Sequence, residues 1–171
     1  EETHENVALR FRLKQRIMEQ QSDFQKVELV ETVEHGKLLA HDGMIMVTER
    51  DEFIYHDMIT HVPMFTHPNP KNVLVIGGGD GGTVREVLRH PSVEKVTMVE
   101  IDGLVVETCK THIPQTASQL SDPRVTLLIQ DGVEFMKQST EVFDIIIVDS
   151  SEPIGPATPL FNVDFYRDIN K

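Results

Sequence analysis

Residues 73–82 read Val-Leu-Val-Ile-Gly-Gly-Gly-Asp-Gly-Gly, and this stretch decides the fold. The four apolar residues at its start predict a strand that is buried on both faces. The glycines that follow are interrupted only by Asp80, and residues 82–90 then show the apolar spacing of a helix. A strand, a glycine turn and a helix open a nucleotide-binding βαβ unit, because glycine lets a ligand approach the backbone closely.

Asp80 changes the interpretation of the glycine turn. The spacing Gly77-x-Gly79-x-x-Gly82 matches the dinucleotide fingerprint, and an acid, Glu100, follows about 20 residues farther on. A helix N-terminus favours phosphate, whereas a carboxylate inside the turn repels a pyrophosphate and attracts a cation. The sequence therefore favours a nucleoside-type ligand with positive charge and no phosphate. The alternative is that Asp80 only caps the helix.

Strands and helices alternate from residue 72 to the last predicted strand. The predicted strands are 73–76, 95–99, 124–129 and 143–148, and the predicted helices are about 82–90, 103–112 and 132–138. This alternation predicts an α/β, Rossmann-like, doubly wound parallel sheet with the winding order 3-2-1-4. Ligands bind such sheets at the carboxyl ends of the strands, where Asp80, Glu100, Asp131 and Asp149 stand. The last strand would lie at an open edge, which indicates further strands and hence a truncated domain.

The amino-terminal part predicts a small antiparallel β domain over residues 1–50. Its expected strands are 7–14, about 24–33, and a hairpin of 38–40 with 44–47 around Asp42-Gly43. Residues 51–70 are expected to form a linking helix and loop, with the helix at 52–62 ended by Pro63. Residues 71–171 would then be the nucleoside-binding catalytic domain, with its carboxyl-terminal part missing.

The composition argues against several kinds of partner and site. The chain of 171 residues has a formal net charge of −12, which argues against a nucleic-acid partner and suits cationic small molecules. The single cysteine, Cys109, excludes an intrachain disulfide and a thiolate metal site. The histidines lack ligand spacing, so no metal is expected. The sequence shows no leader and no apolar run that would span a membrane, and we expect a cytoplasmic protein without a membrane partner.

Five motifs in order carry a resemblance to a known family. They are Phe53–Pro63 with Tyr55-His56, the glycine turn 73–82, Met98-Val-Glu-Ile-Asp102, Asp131-Gly132, and Asp149-Ser-Ser-Glu-Pro-Ile-Gly-Pro156. In this order and spacing the chain resembles the polyamine aminopropyltransferase family, the spermidine synthases in particular. The resemblance covers the chain from about Phe24 onward.

The resemblance implies an activity. The aminopropyl group of decarboxylated S-adenosylmethionine, a co-substrate and not a cofactor, would pass to putrescine, giving spermidine and 5'-methylthioadenosine. It also implies a methyltransferase-like nucleotide fold and a homodimer or homotetramer built partly through the β domain.

The resemblance also implies roles for individual residues. Asp149 would be the general base. The polyamine would be bound by Tyr55, His56, Asp80, Asp149, Ser150 and Glu152. The nucleoside donor would be bound by Gln25, Gly78, Asp80, Glu100, Ile101, Asp131, Gly132 and Pro156. Two positions depart from the family pattern, which usually has Asp at Glu152 and Glu at Asp57.

The residues themselves fit this chemistry. A primary ammonium has a pKa near 10, like lysine, and must lose a proton before its nitrogen attacks the carbon next to a sulfonium. Asp149 can accept that proton, while Asp80 and Glu152 can hold cationic ends and Glu100 can accept from ribose hydroxyls. Asp80 would also repel the carboxylate of ordinary S-adenosylmethionine, which explains a decarboxylated donor.

Three other functions stay open at this point. A methyltransferase and an NAD-dependent dehydrogenase share the architecture. Asp80 together with Asp149-x-x-Glu152-Pro counts against the methyltransferase, and Asp80 counts against the dehydrogenase electrostatically. A non-catalytic binding or assembly module is the third. The acceptor is also open among putrescine, cadaverine, agmatine and spermidine.

Overall fold

The structure is a computed structural model that describes residues 9–171. The chain divides into two compact units between Phe53 and Ile54. Most of the expected linking segment 51–70 therefore belongs with the second unit. Among the described residues no helix has both the length and the apolar character needed to cross a bilayer.

The first unit is a four-stranded antiparallel sheet. Its strands are β1 (Leu13–Gln21), β2 (Lys26–Thr32), β3 (Lys37–His41) and β4 (Met44–Thr48), paired in chain order. Between β3 and β4, Asp42 and Gly43 have φ values of 50° and 82°. Both are positive, as a type I′ hairpin turn requires, so the predicted hairpin is confirmed.

The first strand lies later in the chain than the apolar alternation predicted. Residues 7 and 8 of the predicted strand 7–14 lie outside the described residues, and β1 begins only at Leu13. Its residues are mostly exposed, so β1 shows no apolar alternation. Backbone pairing with β2 holds it in place, with cross-strand ion pairs from Lys14 to Glu31 and from Arg16 to Glu28.

The second unit contains a parallel sheet of β5 (Asn72–Gly77), β6 (Lys95–Glu100), β7 (Val125–Ile129) and β8 (Ile145–Asp149). The order in space is β7-β6-β5-β8 with every pair parallel, which confirms the predicted winding 3-2-1-4. Residues 73–76 of β5 are at most 1% exposed, as a strand covered on both faces should be.

Within residues 9–171, six helices accompany the strands. They are α1 (Glu52–Thr66), α2 (Gly82–Leu88), α3 (Gly103–His112), α4 (Pro114–Ala117), α5 (Gly132–Gln138) and α6 (Val163–Ile169), with 3-10 turns at Ser118–Ser121 and Gly155–Phe161. On one face of the sheet, Leu74 and Ile76 share a core with Met136 of α5 and Phe165 of α6. The sequence did not predict α6, although its Phe165 is fully buried.

The prediction that Pro63 ends the first helix is wrong, because α1 continues to Thr66. A proline inside a helix removes one backbone hydrogen bond. The last turn persists because Met64 is buried to 1% exposure and the Thr66 hydroxyl donates to the Pro63 carbonyl at 2.7 Å. Tertiary packing thus outweighs the local break.

Candidate active site

The glycine turn that follows β5 is held against the end of β8. The Gly78 N–H donates to the Asp149 carbonyl at 2.8 Å. Gly77 has a φ of 82°, and a Cβ there would overlap that same carbonyl oxygen. Glycine is therefore required for this close approach, and the turn brings Asp149 next to Asp80.

Asp80 bonds to the start of α2 and also faces an imidazole ring. Its Oδ1 accepts from the Gly82 N–H at 2.8 Å, so the capping interpretation is correct in part. The same oxygen lies 3.2 Å from His56 Nε2. The His56 ring is buried and packs directly on Gly82, where a Cβ would collide with the imidazole. Asp80 thus joins α1 to the start of α2.

Asp149 ends β8 with both carboxylate oxygens engaged. The Tyr55 hydroxyl donates to Oδ1 at 2.8 Å and the Thr83 hydroxyl donates to Oδ2 at 2.6 Å. The side chain is buried. Two neutral donors therefore orient the carboxylate without neutralising its charge.

The electrostatics of this pair favour binding of a cation. Burial and the neighbouring charge of Asp80 raise the pKa of Asp149, while the hydrogen bonds from Thr83 and Tyr55 act in the opposite direction. Burial and the charge of Asp149 likewise raise the pKa of Tyr55, which stays a neutral donor. Among residues 9–171 neither Asp80 nor Asp149 pairs with a lysine or arginine. A cationic ligand between them would relieve the repulsion.

Glu100 lies on the other side of the glycine turn. It ends β6, is 8% exposed, and its Oε1 accepts from the Asp102 N–H at 2.8 Å. Burial raises the pKa of Glu100 to about 7. A Cβ on Gly79 would stand 3.0 Å from Glu100 Oε2, so this turn glycine leaves room for the carboxylate. Ile101, the next residue, is half-buried.

Asp131 and Gly132 begin α5. Asp131 is exposed, and its carboxylate caps the helix by accepting from the N–H groups of Val133 and Glu134 at 2.7 and 3.3 Å. Gly132 is buried against Ile76, where a Cβ would collide. The third acid therefore stands at the same carboxyl edge of the sheet, as the winding order predicts.

Three of the predicted site residues follow β8 in the chain, and a fourth, Gln25, belongs to the first unit. Ser150 follows Asp149 and its hydroxyl donates to the Ser151 carbonyl at 3.2 Å. Glu152 and Pro156 are exposed on the segment before α6. Gln25 is half-buried in the first unit, on the loop before β2. The described hydrogen bonds and ion pairs connect neither the Ser150 side chain nor the Glu152 side chain to Asp80 or Asp149.

Thr83 is the residue of this site that the sequence interpretation missed. It is completely buried at the start of α2, and its hydroxyl contacts Asp149 from 66 positions away. A threonine at the start of a helix ordinarily suggests local capping. A polar side chain directly after the glycine turn was the only available signal.

A metal ion is the other cation that this arrangement can accept. One nitrogen of His56 and one oxygen each of Asp80 and Asp149 lie within 4.8 Å of one another. One imidazole and two carboxylates form a donor set that divalent transition metals bind. The expected absence of a metal therefore stays a prediction, and the assay proposed below includes a chelator.

Comparison with known proteins identifies the family to which the chain belongs. The family model described as the spermine/spermidine synthase domain matches residues 52–171. The chain belongs to this family. The model described as the spermidine synthase tetramerisation domain matches residues 1–49.

Individual relatives agree with this assignment. Over all 171 residues the chain is 52% identical to the polyamine aminopropyltransferase of Shouchella clausii (strain KSM-K16) and 48% identical to that of Bacillus subtilis (strain 168). In each case it spans 62% of the relative's length.

Two solved structures share the fold closely. A crystal structure of spermidine synthase in complex with the transition state analogue AdoDATO superposes with a TM-score of 0.94 at 46% identity. The crystal structure of spermidine synthase from Thermotoga maritima superposes with a TM-score of 0.89 at 45% sequence identity. Both comparisons cover 96% of this chain, and 57% and 55% of the other chains.

Proposed function

We propose that the chain carries the donor site and the reacting centre of a spermidine synthase. The enzyme would transfer the aminopropyl group of decarboxylated S-adenosylmethionine to putrescine, giving spermidine and 5'-methylthioadenosine. The observation that carries this proposal is the pair of buried Asp149 and half-buried Asp80, which no described lysine or arginine neutralises. Family membership and the names of the similar proteins support the same activity.

The proposed reaction is a displacement in which one bond forms as another breaks. The amine nitrogen of the acceptor attacks the aminopropyl carbon bound to sulfur, a C–N bond forms, and the C–S bond breaks. The sulfonium leaves as a neutral thioether, so its departure needs no acid. Asp149 accepts the proton that the acceptor's ammonium loses. Its raised pKa suits this step because it brings the acid closer to the amine in proton affinity.

The remaining site residues are assigned by position. Tyr55, His56, Asp80, Ser150 and Glu152 would hold the polyamine. Glu100 would accept from the ribose hydroxyls at the end of β6, the position that acidic residues take in dinucleotide sites. The other contacts to the nucleoside donor would come from Gln25, Gly78, Asp80, Ile101, Asp131, Gly132 and Pro156.

Assembly and location complete the proposal. The match of residues 1–49 to a tetramerisation domain supports a homo-oligomer, dimeric or tetrameric. The net charge of −12 favours cationic substrates over nucleic acid. We propose that the enzyme works in the cytoplasm and needs no metal.

One assay tests the activity. The protein would be incubated with decarboxylated S-adenosylmethionine and an equal mixture of putrescine, cadaverine, agmatine and spermidine, and products would be read by mass spectrometry. We expect 5'-methylthioadenosine with spermidine as the main amine product, unchanged by EDTA. Asp149→Asn should lower the rate by about a hundredfold or more. Asp164→Asn, at an exposed position on α6, is the matched control and should leave the rate unchanged.

The other results separate the alternatives. A different aminopropylated amine would correct the acceptor alone. A methylated product from ordinary S-adenosylmethionine would replace the proposal with a methyltransferase. Tight binding of 5'-methylthioadenosine without turnover would identify a nucleoside-binding module, and loss of turnover in EDTA would establish a metal requirement.

A further inference from the structure

Helices α1 and α2 meet along a seam with three layers of contact. The His56 ring packs on Gly82, His61 contacts Glu86, and the Phe65 ring meets His90, just after α2, with ring centroids 5.1 Å apart. The partners advance in the same direction along both helices, so α1 and α2 run side by side. One end of this α1–α2 seam lies beside the candidate active site, and the other end lies three turns away.

Glu86 is the most heavily bonded residue of the seam. Its side chain is 4% exposed, yet it carries a carboxylate. Oε1 accepts from Arg85 Nε at 2.8 Å, and Oε2 accepts from Arg89 Nη1 at 2.5 Å and lies 3.1 Å from His61 Nε2. Burial raises the pKa of Glu86, but the hydrogen bonds and charges of the two arginines outweigh it and the net pKa is lowered. Glu86 is therefore ionised and holds α1 through His61.

The histidine pair extends this contact. Because ionised Glu86 only accepts, His61 Nε2 is the donor, and in the neutral ring Nδ1 is then an acceptor. His90 Nε2 lies 2.9 Å from His61 Nδ1 and completes the chain as a donor. Burial and the positive charge of Arg89 lower the pKa of His90, which favours the neutral form of its ring. The contacts from Glu86 through His61 to His90 are thus satisfied by one consistent set of donors and acceptors.

A metal ion is a weaker explanation of the same cluster. Ligand atoms of Asp57, His61 and Glu86 do lie within 4.8 Å of one another. However, both oxygens of Glu86 already accept from guanidinium groups. A divalent cation would stand next to two fixed positive charges, which costs binding energy at this distance.

We propose that Glu86, acting through His61, is a positioning residue that sets α1 on α2 so that the Tyr55 hydroxyl meets Asp149. Tyr55 and His56 lie on α1, whereas Gly82 and Thr83 lie on α2. The hydrogen-bond donors to the two oxygens of Asp149 therefore come from different helices. Any slip along the seam would separate them, and a slip of about 1 Å at a reacting centre can cost a hundredfold in rate. The link to rate rests on the function proposed above, whereas the link to Tyr55 geometry does not.

Tyrosine fluorescence tests the geometry without any turnover. The chain has two tyrosines and no tryptophan, so Tyr166→Phe leaves Tyr55 as the only emitter. A phenol that donates to a carboxylate emits weakly, and Asp149→Asn in this background marks the emission of a phenol that no longer faces a carboxylate. We expect His61→Leu to raise the emission most of the way to that reference. His61→Gln, whose amide still donates, should stay near the parent. Emission of the His61→Leu variant equal to the parent would overturn the proposal.

Kinetics test whether the effect passes through Tyr55. His61→Leu should lower kcat about tenfold with KM for the donor changed less than about twofold. In a Tyr55→Phe background the same substitution should lower kcat by less than about twofold, because the positioned group is already gone. Equal losses in both backgrounds would contradict positioning through Tyr55. Glu86→Leu, which removes the acceptor for His61, should reproduce His61→Leu where it folds, and the His61 variants decide the matter where it does not.

The two proposals fail separately. A wild-type protein with no aminopropyl transfer would refute the proposed function, while the fluorescence series would still decide the geometry. If the wild type is active but the tyrosine emission is the same with and without the His61 substitutions, only the positioning proposal is refuted.

Discussion

At the scale of single residues, the candidate site depends on carboxylates that no described lysine or arginine neutralises. Asp149, Asp80 and Glu100 end or follow three neighbouring strands, and burial raises the pKa of both Asp149 and Glu100. Buried carboxylates in folded proteins are ordinarily paired with a cationic group. Keeping Asp149 buried with a raised pKa destabilises the empty protein and leaves an energy gain for a cationic ligand.

Thr83 is predicted to tune Asp149. Its hydrogen bond lowers the pKa of Asp149, so Thr83→Val, which keeps the shape and removes the donor, should raise that pKa further. We expect the acidic limb of the pH–kcat profile to move up by about one unit. Thr83→Ser keeps a hydroxyl and should retain the wild-type profile. Superimposable profiles for the valine variant and wild type would show that Thr83 does not act on Asp149.

Glu100 is predicted to make stability depend on pH. Its pKa of about 7 in the folded protein exceeds the ordinary value of 4.5, so the folded state binds this proton more tightly than the unfolded state. The stabilisation is complete below about pH 4.5 and is lost as the pH rises through 7. In urea unfolding, we compare the free energy of unfolding of Glu100→Gln with that of wild type. The difference, variant minus wild type, should increase by about 3 kcal/mol as the pH is raised from about 4.5 to about 8.

The control for that measurement lies on α3. Glu107 is exposed and pairs only loosely with Lys110 at 3.5 Å. Glu107→Gln should therefore follow the wild-type curve across the same pH range. A Glu100→Gln curve parallel to wild type would mean that the carboxyl group titrates normally.

At the scale of elements, the glycine motif before and in the first turn of α2 both packs against neighbouring elements and lines the candidate site. The glycines admit the Asp149 carbonyl and the His56 ring, so α1 and β8 both approach α2 more closely than a side chain would allow. The motif therefore serves packing as well as ligand approach.

Gly82→Ala is predicted to loosen α1. The new methyl group would collide with the His56 imidazole, and we expect a loss of about 1–3 kcal/mol in the free energy of unfolding together with lower kcat. Gly103→Ala at the start of α3 is the matched control, since its Cβ would stand 3.4 Å from Ile129. That variant should be neutral or slightly more stable. Equal stability of the two variants would rule out a tight α1–α2 contact.

At the scale of the whole molecule, net charge is the dominant property. A formal charge of −12 on 171 residues produces a negative potential that concentrates cations around the protein. Such a field acts before binding and does not depend on which groups contact the ligand.

The acceptor KM is predicted to depend on salt. Raising NaCl from about 0.05 to about 0.5 M shortens the screening length, so KM for a diamine should rise about two- to tenfold while kcat changes little. A monoamine acceptor or competitor should show a smaller change because it carries half the charge. A salt-independent KM would mean that only local contacts attract the acceptor.

Local patterns in the sequence determined the sheet order, the β3–β4 hairpin and the acids at the strand ends. The apolar run of 73–76 can only be a doubly covered strand, and Asp42-Gly43 suits positive φ on its own. Such features depend on residues close together in the chain, which is why they can be predicted from sequence.

Tertiary structure alone decided the rest. The exposed strand β1 has no apolar period to detect, and α1 passes Pro63 because Met64 is buried elsewhere in the core. Asp149 receives its side-chain hydrogen bonds from residues that lie 94 and 66 positions away in the sequence. Glu86 contacts His61, which lies 25 positions away. Contacts between residues so far apart arise only once the helices pack, because no local propensity encodes them.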